Sequence, residues 1–308
     1  MRALALLVLA ACGRDHFDPA HNVAFVTSTV HDPVTFGSDG AGADAICAQT
    51  ASAAGLVGDY RAYVATTSVP APDHLGNARG WIRTDGKPVA DLVADLQTGH
   101  LLYPLRLDEN GDDQGPVTVA TGGAWAASGG SSCASVAHLY CFGVGMSSPL
   151  GVEPASGRLA FVTIQAYVPT AGLAGADALC ASEATAASLP GTFLALLGTG
   201  SASAASRFDM TGPTWVRTDG IPLADSPLAF VDGDLLTAPS VTALGTETKV
   251  HDVLTGGSLG TPSGGNCGNW TGTGINGALI GNAERASNAA FDSTNGGCNG
   301  GPIYCLAE

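Results

Sequence analysis

The sequence predicts an α+β protein built from two copies of one domain, and three observations carry that reading. Two long motifs recur at nearly the same spacing: Gly42-Ala43-Asp44-Ala45-Ile46-Cys47 returns as Gly175-Ala176-Asp177-Ala178-Leu179-Cys180, and Trp81-Ile82-Arg83-Thr84-Asp85-Gly86 returns as Trp215-Val216-Arg217-Thr218-Asp219-Gly220. Shorter anchors bracket them, with Ala24-Phe25-Val26-Thr27 against Ala160-Phe161-Val162-Thr163 at the start and Leu139-Tyr140-Cys141 against Ile303-Tyr304-Cys305 at the end. Within each copy, β-branched and aromatic runs surround one small-residue helical stretch and many glycine-rich turns, which reads as α+β with irregular loops. A repeat of roughly 120–150 residues is a tandem domain pair, each copy able to hold its own core, and not a solenoid.

Taken in order, the chain opens on Arg2 and an apolar run over residues 3–11, ending in Leu9-Ala10-Ala11-Cys12. Small residues after a short apolar stretch mark an export signal. The cysteine after the expected cut looks like a bacterial lipoprotein signal, with 1–11 removed, Cys12 acylated and 12–22 a polar tether. Membrane attachment is then expected through lipid alone, on the bacterial outer membrane, facing the surface or the periplasm. Domain 1 is expected over 23–142, a linker with two prolines over 143–157, and domain 2 over 158–308.

Each copy should start with a strand, over 23–27 and 159–164, and continue into a helix, over 40–54 and 175–187. Asp44 and Asp177 are expected in the first turn of these helices, where a carboxylate favours the dipole. Gly55 and Leu189-Pro190-Gly191 should stop them. Strands follow over 60–67 and 192–197, and Asp85-Gly86 and Asp219-Gly220 read as tight turns after the tryptophan strands.

Cysteines add a framework. Cys47 and Cys141 match Cys180 and Cys305, and Cys133 matches Cys298, while the partner position of Cys267 is missing from the first copy. Four cysteines permit three connectivities, and spacing alone does not choose among them. Comparing the copies gives the economical nested scheme: Cys180–Cys305 outside, Cys267–Cys298 inside, Cys47–Cys141 in the first copy and Cys133 unpaired. The first copy lacks an equivalent of roughly residues 256–287, from Gly256 to Ser287, and so is a shortened domain. No Cys-x-x-Cys or His-x-x-x-His spacing favours zinc.

The second copy carries enough pattern for a resemblance. Gly172-Leu173-Ala174-Gly175-Ala176-Asp177-Ala178-Leu179-Cys180, Leu189-Pro190-Gly191-Thr192-Phe193, Cys267-Gly268-Asn269-Trp270-Thr271, Cys298 and Ile303-Tyr304-Cys305-Leu306 resemble the endostatin domain of non-fibrillar collagens. They also resemble endostatin-like domains of bacterial surface lipoproteins. The resemblance implies a C-type-lectin-like fold with nested disulfides. It does not bring the family's ligands with it. The arginines for heparin, the N-terminal histidines for zinc and the calcium motifs of sugar-binding lectins (Glu-Pro-Asn or Gln-Pro-Asp with Trp-Asn-Asp) are all missing.

Charge points the same way. With 27 Asp and Glu against 12 Lys and Arg the net charge is -15, and no two basic residues are adjacent. Nucleic acid and heparin-like partners need clustered cations and are disfavoured. Asp108, Asn110 and Asp112 alternate like the start of a calcium loop, but Val119 stands where an EF-hand needs its last glutamate, so a solvated acidic loop is expected. Gly256-Gly257-Ser258-Leu259-Gly260 matches a nucleophile-elbow pattern, which has meaning only on a strand-to-helix turn. Trp81 and Trp215 read as core residues before ligand platforms. The expected function is therefore a surface-displayed, non-catalytic binding or adhesion module for an extracellular protein or glycan, without a cofactor, its binding loop within 256–287. A structural envelope lipoprotein without a ligand is the alternative, and a serine hydrolase centred on Ser258 is a remote one.

Overall fold

The β-branched and aromatic run that opens each copy forms a central strand, β1 (Asn22–Val26) in the first and β6 (Arg158–Val162) in the second. The computed structural model describes residues 21–115, 135–272 and 277–308. Those up to 150, apart from Leu102–Pro104, form one compact unit; Leu102–Pro104 and Gly151–Glu308 form the other. The boundary thus falls inside the stretch expected as linker. Met146 belongs to the first unit, its backbone N–H and C=O both bonded to the Asn22 side chain.

In the first copy α1 (Ala41–Ala53) follows, then β2 (Tyr60–Ala62), β3 (Trp81–Ile82), β4 (Pro88–Ala90), α2 (Val93–Thr98) and β5 (Tyr140–Gly143). The sheet order is β2-β5-β1-β3-β4, with β1 parallel to β3 and antiparallel to β5. The second copy repeats the plan with α3 (Gly172–Ala186), β7 (Phe193–Ala195), β8 (Trp215–Arg217), α4 (Pro227–Asp232) and β12 (Tyr304–Ala307). Its sheet order is β7-β12-β6-β8, again with one parallel and one antiparallel neighbour on the central strand. Register is shared as well: Phe25 lies opposite Cys141, and Phe161 opposite Cys305. Because a one-residue slip would turn every side chain to the other face, equal register means equal cores.

The long helices bury matching stripes, Ala43, Cys47 and Ala51 on α1 against Ala176, Cys180 and Ala184 on α3, spaced four residues apart. Small side chains let each helix lie close to its sheet, and each disulfide ties the middle of the helix to the last strand. Cys47–Cys141 and Cys180–Cys305 make those ties. Helix α3 starts at Gly172, earlier than expected, so Asp177 is not in its first turn. It ends through Ser188, in the left-handed region at φ 57°, where the first copy uses Gly55 at φ 74°. The short helices α2 and α4 were not expected. Helix α4 is nucleated by Ser226, whose Oγ accepts the Ala229 N–H, with proline in the first turn.

The second copy adds a three-stranded sheet, β11-β10-β9, made of β9 (Val253–Leu254), β10 (Ala278–Gly281) and β11 (Thr294–Gly296). Between β9 and β10 lies a single helical turn, α5 (Cys267–Trp270). The segment expected as a binding loop is therefore largely architectural, because Leu259, Trp270, Ala278, Ile280 and Ala283 all enter the core.

Candidate functional site

Most polar positions that recur are spent on holding the fold. Trp81 and Trp215 are fully buried, and each indole N–H donates to a carbonyl at the end of its sheet, Gly143 O at 2.8 Å and Ala307 O at 2.9 Å. Neither ring is available as a ligand platform. Asp44 accepts the Ala62 N–H and Asp177 the Ala195 N–H, both at 2.9 Å, so each carboxylate pins the strand after its helix. Each also meets an arginine, Arg61 in the first copy and Arg207 in the second, drawn from different places in the repeat. Arg83 and Arg217 are buried against Asp85 and Asp219 two residues on. Burial alone would raise the Asp85 carboxyl, but the hydrogen bond and charge of Arg83 outweigh it and hold Asp85 below the usual carboxylate range. With Arg79 on Asp91 and Arg106 on Asp113 as well, six arginines are engaged inside their own copies.

The turn after the first strand shows the same task solved twice. In the first copy Glu109 accepts the Ser28 N–H at 2.9 Å and the Ser28 hydroxyl. In the second, Glu183 of α3 accepts the Ile164 and Gln165 N–H groups. Both carboxylates are buried.

The alternating acids of the first copy are a structural turn. The loop is solvated over residues 110–113, as expected, while Asp108 at its base is 1% exposed. Its Oδ1 accepts the N–H groups of Asn110 and Asp112 and its Oδ2 the Gln114 amide. The second copy builds the same turn with Thr242, whose N–H reaches Thr246 O as the Asp108 N–H reaches Asp112 O. A carboxylate whose lone pairs point at protein N–H groups is a cap and not a cation ligand. Among the described residues no three His, Cys, Asp or Glu side chains converge as a metal site. Ser258 lies exposed in a loop after β9, not on a strand-to-helix turn. A pocket in the second core, lined by Phe161, Arg217, Leu223 and Tyr304 among others, has room for about one water molecule, far below a small-molecule site. Cys12 and Cys133 lie outside the described residues.

One feature of the second copy is anchored in the core at both ends yet turns its middle outward. Cys267, Gly268, Asn269 and Trp270 have φ of 50°, 66°, 57° and 64° in succession, a full turn of left-handed helix. Glycine tolerates that conformation and asparagine visits it, but Cys267 and Trp270 each cost of order 1–2 kcal/mol there. Among the described residues of the first copy, only isolated glycines have positive φ. The turn persists because its surroundings over-determine it. Cys267 is bonded to Cys298, and the Trp270 indole, 0% exposed, donates to Gly198 O at 2.7 Å. Asn266 Oδ1 accepts the Asn269 N–H, and the Tyr167 hydroxyl donates to Trp270 O. What the turn presents outward is Gly268 and Asn269. The Asn269 Oδ1 accepts the Gly200 N–H at 2.8 Å, which fastens the turn beside the Thr199–Ala202 loop. That loop is closed by the Thr199 hydroxyl and is repeated in the first copy around Thr66. The result is a rigid, uncharged surface of Thr199, Gly200, Ser201, Gly268, Asn269 and Thr271. Strained backbone held by surplus contacts clusters at functional sites. The sequence signal was slight: Gly268-Asn269, the two residue types most tolerant of left-handed backbone, directly after a cysteine.

No protein-family model matches the chain, and no curated protein matches it.

Proposed function

We propose that the chain is an exported pair of endostatin-like, C-type-lectin-like domains, lipid-anchored through Cys12 to a bacterial outer membrane, that acts as a non-catalytic binding or adhesion module. Its partner is an extracellular protein or glycan, met by the surface around Asn269 and Gly200 in the second copy. The observation that carries this reading is the left-handed turn Cys267–Trp270, a costly conformation pinned by a disulfide and a buried indole while its middle faces outward. Rigidity before binding lowers the ordering cost of recognition. The engaged arginines favour an uncharged or cationic partner over a polyanion. The test is binding of the purified, oxidised protein to glycan and matrix-protein arrays, with and without calcium, against a scrambled-disulfide control. Specific capture by the native protein alone is expected. Capture no greater than the control leaves a structural envelope lipoprotein as the better account. A fluorophosphonate probe is expected to leave Ser258 unmodified in the folded protein.

A further inference from the structure

We propose that the Cys267–Cys298 disulfide is a redox latch: a dithiol reductant opens it ahead of the other two, whereupon the Cys267–Trp270 turn leaves its left-handed conformation and Trp270 loses its slot. Three observations lead there. The first is position. Cys180 and Cys305, like Cys47 and Cys141, are 0% exposed and join the middle of a helix to a strand paired on both sides. Cys267 and Cys298 are 3% and 2% exposed, but their neighbours Gly268, Gly297 and Asn299 face solvent. Reaching the outer bonds requires opening a sheet, whereas local opening of glycine-rich loops reaches the inner one. The second is ring size: the inner bond spans 31 residues of sequence and the others 94 and 125. Smaller loops gain less from closure. The third is strain. Three non-glycine residues sit in left-handed backbone beside the inner bond, and only isolated positions do so elsewhere among the described residues.

The chemistry balances as thiol–disulfide exchange. A thiolate of the reductant attacks one sulfur of Cys267–Cys298, forming a mixed disulfide and expelling the other cysteine as thiolate. The reductant's second thiol then displaces the remaining protein sulfur, so that the protein gains two electrons and two protons and the reductant leaves as its disulfide. Opening removes the covalent anchor of the turn. Asn269 then no longer holds the Gly200 N–H, and the outward surface comes apart while the four-stranded sheet stays tied by Cys180–Cys305.

The latch is read without any ligand, so its failure is distinguishable from failure of the binding proposal. Full-length oxidised protein, its free thiols first blocked with iodoacetamide, is treated with dithiothreitol under native conditions. Aliquots are trapped with N-ethylmaleimide and mapped by mass spectrometry, with tryptophan emission followed in parallel against a Trp270→Phe control. The expected result is labelling of Cys267 and Cys298 at least about tenfold faster than the other four, with a red shift of Trp270 emission at the same rate and unchanged far-ultraviolet circular dichroism. Labelling of Cys180 or Cys305 at the same rate would overturn the proposal. So would reduction of the inner pair without a change at Trp270. The Cys267→Ser, Cys298→Ser double variant should show the reduced-state emission with its outer disulfide intact, and a native-like Trp270 in it counts equally against the latch. If that variant does not fold, the time course on the unaltered protein decides.

Discussion

The two copies share a sheet order, a register, a helix-to-strand disulfide and a buried tryptophan, yet one detail after another is achieved with different residues. Glu109 in the first copy and Glu183 in the second cap the same turn from different elements. Where Glu183 stands in the second copy the first has Thr50, and where Glu109 stands in the first the second has Ala243. Arg61 and Arg207 reach the same aspartate position from different places. Asp108 and Thr242 close the same turn with a carboxylate or a hydroxyl. The lesson is that the task is retained while the residue is not: a backbone N–H must be satisfied, and any acceptor that reaches it will serve. Against that background the left-handed turn of the second copy stands apart, since the described residues of the first copy hold no counterpart of it.

The comparison can be broken most directly at the disulfides. Replacing both cysteines of Cys180–Cys305 or of Cys47–Cys141 by serine should cost each copy about 4–5 kcal/mol by the chain-entropy argument, measured by denaturant unfolding. Loss of Cys267–Cys298 should cost its copy less, about 3–4 kcal/mol before any relief of strain is counted. An inner bond worth more than the outer one would mean that the turn is a folding element and not a surface device.

The exchange of carboxylates predicts a rescue. Glu109→Ala should destabilise the first copy by about 1–3 kcal/mol, because buried N–H groups lose their acceptor. Adding Thr50→Glu should restore a substantial part by importing the arrangement of the second copy. No recovery in the double variant would show that the two solutions are not interchangeable.

Helix ends offer a smaller test. Ser188 adopts the left-handed conformation that Gly55 adopts in the first copy. Ser188→Gly should raise the stability of the second copy by about 0.5 kcal/mol, and Gly55→Ser should lower that of the first by a similar amount, read as shifts in thermal midpoint.

The smallest effect is a difference in pH response. Burial, and then the neighbouring His138, hold the His31 imidazole below its ordinary value, with Glu109 pulling the other way. A lowered folded-state value means that the unfolded chain takes the proton first. Stability of the first copy should therefore begin to fall as pH drops below about 6.5, and this contribution is gone once pH is below the folded value. His31→Gln should flatten that slope between pH 7.5 and 5, and an unchanged slope would place its origin elsewhere.

These contrasts also explain what could be read from the sequence. Repeated motifs marked the strands and the α1 and α3 helices, since periodic burial leaves periodic residues. Matching Cys47 and Cys141 to Cys180 and Cys305 was possible because register is common to both copies. The pairs that exchange residues, such as Glu109 with Ser28 or Arg207 with Asp177, were invisible, because their partners are distant along the chain and differ between copies. The acidic run at Asp108 read as a solvated loop, and that its first carboxylate receives N–H groups is a distinction that only three-dimensional direction makes. The turn at Cys267–Trp270 was hidden by abundance: in a chain with 43 glycines, one more Gly-Asn pair carries little signal.

The central claim is that recognition belongs to the surface around the pinned turn of the second copy and not to the scaffold both copies share. Ser201 and Ser68 occupy the same exposed position of the same hydroxyl-closed loop, and only Ser201 lies beside Asn269. The direct measurement is affinity of Ser201→Glu and Ser68→Glu proteins for whichever protein or glycan the arrays identify. Ser201→Glu is predicted to lose binding by at least about tenfold, since a buried unpaired carboxylate is costly at an uncharged interface, while Ser68→Glu binds as the unaltered protein does. Equal loss in both, or loss in Ser68→Glu alone, would contradict it.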